Sequence, residues 1–269
     1  MAFFSFLTAI MMRIRTLAGL AAALLISGAS AQTLGLRLIL VGDSTMAPRS
    51  GYGNALCEQF PLLACLNLAR GGRSTKSYRA EGLWNSVTAL LREGGQKDLV
   101  LIQFGHNDQP GKPGRSTDLA TEFPVNLAVY VDEVRAAGGT PILLTPLTRR
   151  SFKDGRLNND LLAWAEATRK VAADKGVQVL DLNALSAAAV QAMGEDEADT
   201  LALAPKPASS STPASPAADP AATEPQGQPK SLFDRTHVGP KGAALFAGIV
   251  ARELLKLRPE LAPAQAGRR

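Results

Sequence analysis

Apolar and polar positions alternate along this chain on two scales. Five short runs are almost continuously apolar: residues 36–41, 64–68, 99–104, 141–144 and 177–180. Such runs suit strands buried on both faces of a sheet. Between them lie longer stretches in which apolar residues recur at helical spacing. Leu127, Tyr130, Val131 and Val134 mark one such stretch, within about 119–137; Leu162, Trp164, Ala165 and Val171 mark another, within 161–173. Further helices are predicted over about 53–60, 81–92 and 240–257, the last opening on Pro240, whose missing N–H costs a first turn nothing. Strand and helix in alternation predict an α/β fold: a three-layer α/β/α sandwich around a central parallel sheet of about five strands, joined by right-handed crossovers. Ligands of such folds sit beyond the carboxyl ends of the strands.

Two stretches break the pattern. Residues 1–31 carry Arg13 and Arg15, then an apolar run over 17–26, then Ala29-Ser30-Ala31. A basic patch, a short apolar core and small residues are what a signal peptidase accepts, so a cleaved signal peptide and export, periplasmic or secreted, are expected. A membrane anchor is the alternative reading, and the run is short for a span. Residues about 195–230 are rich in Pro, Ala and Ser and poor in large apolar side chains, which predicts a flexible insertion.

With 1–31 removed, 238 of 269 residues remain (269 − 31), enough for one domain over 32–269 with a sizeable core. The formal charge of +5 falls by two arginines to +3, and no arginine-rich, aromatic-interleaved stripe appears, so nucleic acid is excluded as an expected partner. Cys57 and Cys65 are either one disulfide of an exported protein or two buried thiols. Neither metal-ligand spacing nor a phosphate-cradling glycine loop of the Walker type is present.

Four short blocks carry candidate chemistry. Gly42-Asp43-Ser44-Thr45-Met46 follows the first apolar run and places a serine at a tight strand-to-helix turn. Gly71-Gly72-Arg73-Ser74 follows the second, where glycine lets a backbone N–H approach a ligand. Phe104-Gly105-His106-Asn107-Asp108 follows the third and offers the Asn107 amide as a donor. Asp234-Arg235-Thr236-His237 lies near the C-terminus. A serine attacks a carbonyl only if a base takes its proton and a third group orients that base. The chain has two histidines, and His237 has an aspartate three residues before it. Ser44 is therefore the candidate nucleophile, His237 the base and Asp234 its orienting carboxylate. The N–H groups of Ser44 and Gly72 and the Asn107 side chain are candidate donors to the oxyanion.

In these blocks the chain resembles the SGNH (GDSL-like) hydrolases, and among them the rhamnogalacturonan acetylesterase branch. The resemblance covers about 36–257 apart from the Pro/Ala/Ser-rich insertion. It implies a flavodoxin-like sandwich without a cofactor. It also implies removal of acetyl groups from plant cell-wall polysaccharide, pectin above all. A monomer with no stable membrane anchor after signal cleavage is expected. By matching motifs it assigns Ser44, Asp234 and His237 to the triad, and Ser44, Gly72 and Asn107 to the oxyanion hole. The Gly-Arg-Ser match selects Gly72 over Gly71.

Arg73 suits a sugar carboxylate or a surface role. His106 either braces its loop or touches substrate. Asp43 and Asp108 read as turn and loop braces, and Met46, Trp84 and Trp164 as packing. Two other functions fit the same residues: a lipase, lysophospholipase or thioesterase with a longer acyl group, and a carbohydrate-binding envelope protein without catalysis.

Overall fold

The computed structural model describes residues 35–207 and 233–265. The expected export signal, residues 208–230 of the expected insertion and the basic end Gly267-Arg268-Arg269 lie outside the described residues. The chain runs β1 (Leu36–Gly42), α1 (Gly53–Cys57), β2 (Ala64–Asn67), α2 (Ser77–Ala80), α3 (Leu83–Glu93), β3 (Lys97–Gln103), α4 (Glu122–Ala136) and β4 (Thr140–Leu144). A two-stranded hairpin follows, β5 (Phe152–Lys153) and β6 (Arg156–Leu157). Then come α5 (Leu162–Lys175), β7 (Gln178–Leu180), α6 (Leu182–Met193), α7 (Glu195–Asp199) and α8 (Pro240–Leu257). A 3-10 turn (Pro259–Leu261) and α9 (Ala262–Gln265) close the chain.

The main sheet is parallel throughout, in the order β2-β1-β3-β4-β7. Successive side chains of a strand point to opposite faces, so each apolar run feeds two cores. Leu38, Leu40, Leu99, Leu101, Ile142 and Leu144 face one side, packing with residues of α1, α6 and α8. Ile39, Val41, Val100, Ile102 and Leu143 face the other, with residues of α3, α4 and α5. These are the three layers expected from the pattern. Trp84, Trp164 and Met46 are buried in these cores, as their packing reading requires.

Arg37 interrupts the first apolar run and is nevertheless buried. It sits opposite Asp98 in the β1–β3 register and its Nε donates to the Asp98 carboxylate at 2.7 Å, so the charge is paired at the amino end of the sheet, away from the site. Cys57 and Cys65 form a disulfide that ties the end of α1 to β2, which decides between the two readings of that pair. The expected flexible insertion is corrected at its start. Residues 195–207 are described and folded: Ala198 and Leu201 are buried, and Ala202 bridges Val238. Among the described residues no helix is long and apolar enough to cross a membrane.

Candidate active site

The carboxyl ends of β1, β2 and β3 bring the first three blocks together, and the segment before α8 brings the fourth to the same edge. Ser44, Asn107 and His237 are each 8% exposed, so all three are buried but not sealed from solvent.

The turn after β1 is built around Asp43. Its carbonyl accepts the N–H of Met46 at 3.2 Å and of Ala47 at 3.0 Å. Its Oδ1 accepts the N–H of Thr45 at 2.9 Å and the Thr45 hydroxyl at 2.8 Å. The Asp43 side chain thus caps the turn that presents Ser44, as the sequence predicts. The chain then folds back on itself: a Cβ on Gly51 would lie 2.2 Å from the Thr45 backbone, which only glycine avoids.

The second block comes close to this turn. The N–H of Arg70 donates to the Gly42 carbonyl at 2.9 Å, and a Cβ on Gly71 would lie 3.7 Å from the Ser44 Cβ. Gly72 has φ +76°, a left-handed conformation that suits glycine. Among the described residues neither the Ser44 N–H nor the Gly72 N–H has a protein acceptor. The Asn107 amide donates one of its two protons to the Arg73 carbonyl at 3.1 Å, which orients it and leaves the other proton available. Asp108 braces the loop: its Oδ1 accepts the Thr75 N–H at 3.0 Å and the Thr117 hydroxyl at 3.1 Å. Burial pushes the Asp108 carboxyl up to about 7.

The fourth block is held from several directions. His237 Nδ1 lies 3.0 Å from Asp234 Oδ2, and the N–H groups of Thr236 and His237 each donate to Asp234 Oδ1 at 2.7 Å. Burial alone would push this carboxyl up; the His237 ring and the two N–H groups outweigh it and hold Asp234 at about 2. Asp234 is therefore a carboxylate across any ordinary pH. Beneath the loop runs Arg150, fully buried, whose Nη2 donates to the carbonyls of His237 at 2.8 Å and Asp234 at 3.1 Å. Its own N–H donates to the Arg235 carbonyl at 2.8 Å. On the outside, Arg235 pairs with Asp199 at 2.9 Å and with Glu195, so α7 latches the loop. The link to the first block is direct: the Val238 N–H donates to the Ser50 carbonyl at 2.9 Å, and the Ser50 hydroxyl donates to the Ser44 carbonyl at 2.8 Å.

Two expected substrate contacts are placed differently. His106 is 2% exposed, and its Nδ1 faces Asp43 Oδ2 at 3.3 Å beneath the Ser44 turn. Burial lowers the His106 ring below its usual value despite Asp43; burial opposes the Asp43 charge too, and His106 and Thr45 outweigh it and hold that carboxyl low. This burial favours the loop-bracing reading of His106 over the substrate-contact reading. Arg73 is buried too, its Nε and Nη2 donating to Glu81 at 2.9 and 2.7 Å and its Nη1 to the Gly71 carbonyl at 2.6 Å. Its donors are largely spent inside the protein.

Arg150 was not singled out in the sequence. Its only trace is its place six residues beyond the apolar run 141–144, in the segment leaving the ligand edge of the sheet. Among the described residues no three His, Cys, Asp or Glu side chains gather as metal ligands.

Comparison with known proteins identifies relatives of this chain. The family described as GDSL-like Lipase/Acylhydrolase matches residues 40–245. The rhamnogalacturonan acetylesterase RhgT of Bacillus subtilis (strain 168) is 31% identical over 231 residues, covering 82% of this chain and 90% of that protein. Among solved structures, a Bacillus subtilis protein superposes with a TM-score of 0.60 at 21% identity; it covers 83% of this chain, which spans 57% of its length. The acetylxylan esterase Axe2 of Geobacillus stearothermophilus superposes with a TM-score of 0.54 at 18% identity, over 82% of this chain and 92% of that one. At these identities the two superpositions speak to the fold, and they support the three-layer sandwich.

Proposed function

Because the chain belongs to the GDSL-like lipase/acylhydrolase family and is a carboxylic ester hydrolase, we propose that it is an exported acetylesterase acting on acetylated plant cell-wall polysaccharide of the rhamnogalacturonan, or pectin, type. The observation that carries the chemistry is the fourth block. It holds an imidazole on an ionised carboxylate, and Arg150, α7 and Ser50 fasten that pair beside the serine turn. The acetylesterases among the compared proteins support the acyl group, and the 31% identical relative supports the polysaccharide. The disulfide supports an oxidising compartment.

The reaction follows from the residues. Ser44 Oγ attacks the acetyl carbonyl carbon as His237 Nε2 takes its proton. Asp234 accepts the Nδ1–H of His237, fixes that tautomer and stabilises the imidazolium. The carbonyl oxygen becomes an anion and receives the N–H groups of Ser44 and Gly72 and the free proton of Asn107. Each donor is worth about 2.7–4 kcal/mol at the transition state. His237 then protonates the departing sugar hydroxyl, leaving an acetyl group on Ser44. Water, deprotonated by the same imidazole, releases acetate.

The test is acetate release from acetylated pectic oligosaccharide and hydrolysis of p-nitrophenyl acetate by wild type and Ser44→Ala. Loss of both activities in a variant that still folds is expected. Retained activity, or a wild-type preference for octanoyl over acetyl esters, contradicts the reading.

A further inference from the structure

Next to the oxyanion-hole glycine lies a cavity of about 180 Å³, lined by Gly72, Arg73, Ser77, Glu81, Gly114 and Arg115 among others. Its charges do not cancel. Arg73 is bound to Glu81 through two donors. That leaves the positive charge of Arg115 uncompensated within the cavity wall: two guanidinium groups against one carboxylate. Among the described residues Arg115 has no acidic partner, and one of its five N–H donors is used, on the Gly72 carbonyl at 3.4 Å. The loop that carries it is rigid. The hydroxyl of Ser116 donates to the Gln109 carbonyl at 2.8 Å and accepts the Lys112 N–H at 2.8 Å, and the N–H of Thr117 donates to the Asp108 carbonyl at 2.9 Å. Lys112 on the same loop donates to the His106 carbonyl. Burial above all, then Arg149 and Arg115 against the pull of Asp43 and Asp108, lowers its ammonium to about 8.

A half-buried, preorganised guanidinium with spare donors is the partner a carboxylate takes bidentately. We propose that this cavity is a carboxylate subsite, in which Arg115 grips the uronate of a sugar flanking the acetylated one and so sets the enzyme's choice of substrate. Arg73, locked by Glu81, forms the wall against which that sugar lies. The inference rests on the acetylesterase reading above and goes further by naming the residue that reads the backbone's charge.

The test compares kcat/KM on two acetylated galacturonate-containing oligosaccharides that differ in one respect: one has free carboxylates, the other the same carboxyls as methyl esters. Wild type should favour the free acid, and Arg115→Gln should cut that ratio about tenfold or more, the worth of a charge-assisted pair. Arg115→Lys, which keeps the charge and loses the fork, should retain part of the preference and also serves if the glutamine variant folds poorly. A wild-type ratio near one overturns the proposal. So does a ratio that Arg115→Gln leaves intact while both rates fall together, which marks a structural role. Hydrolysis of p-nitrophenyl acetate separates the two layers. If the chain cleaves that ester but neither oligosaccharide, the subsite falls and the esterase chemistry stands. If it cleaves no acetyl ester at all, both fall.

Discussion

The molecule contains two aspartate–histidine pairs, and they are built for different work. Asp234 and His237 are three residues apart in one loop, 3.0 Å apart in space, and open to solvent at the mouth of the site. Asp43 and His106 come from two different strand ends, face each other at 3.3 Å, and are sealed beneath the Ser44 turn. The outer carboxylate is held at about 2 by two backbone N–H groups and the ring, so its histidine gains a fixed orientation and a charge to lean on. The inner carboxylate spends its other oxygen on Thr45, and burial lowers its histidine below the usual imidazole value. Identical residue types thus suit one pair to the proton transfer proposed above and the other to bracing the turn. Access to water and the partners of the remaining oxygen decide which.

Substitutions break this contrast most sharply at the outer pair. His237→Ala should lower kcat on p-nitrophenyl acetate on the order of a million-fold, since nucleophile and base act as a unit. Circular dichroism should show an intact fold. Asp234→Asn should cost about 10⁴-fold, through the wrong tautomer of His237 rather than through lost structure. The inner pair should answer in stability. His106→Ala removes the ring that faces Asp43 Oδ2 and is expected to cost about 1–3 kcal/mol in urea unfolding, with the Thr45 bonds to Asp43 kept. If it instead abolished turnover with no change in stability, the strut assignment would be wrong. Removing the disulfide by Cys57→Ser should cost about 2–3 kcal/mol, the entropy of freeing a short loop.

A further effect is one of pH. Asp108 has its folded pKa raised to about 7 from an ordinary 3.8, so the folded state binds its proton more tightly than the unfolded chain does. Its contribution is fully present below about 3.8 and is lost as pH rises through about 7. Asp108→Asn lacks this titration. Its melting temperature relative to wild type should climb between pH 4 and pH 8, and a constant difference would contradict the burial argument.

Much of this was legible in the sequence. The five apolar runs mark the five strands because a parallel sheet covered on both faces leaves no polar side to obscure them. The helix predicted over 81–92 is found as Leu83–Glu93, because it carries a clear helical stripe, and that over 161–173 as Leu162–Lys175, where Trp164, Ala165 and Val171 are buried. α6 was missed: its alanine-rich sequence blurs the contrast between faces, although Asp181 caps it by accepting the Ala184 N–H. α7 was read as part of a flexible insertion because its five residues are mostly acidic; what orders it is Arg235, distant in the chain. The four blocks were visible because their chemistry needs particular residue types at strand ends. Arg150 and Arg115 were not, since an arginine reads as a surface cation until long-range contacts show where its guanidinium lies.

The central claim is that the imidazole of the outer pair activates Ser44, and covalent trapping tests it most directly. A fluorophosphonate probe is added to folded wild type and to His237→Ala, and the labelled peptide is identified by mass spectrometry. Labelling of Ser44 in wild type and its loss in the variant are the expected result. An unlabelled Ser44 in active wild type, or equal labelling without His237, would contradict the claim.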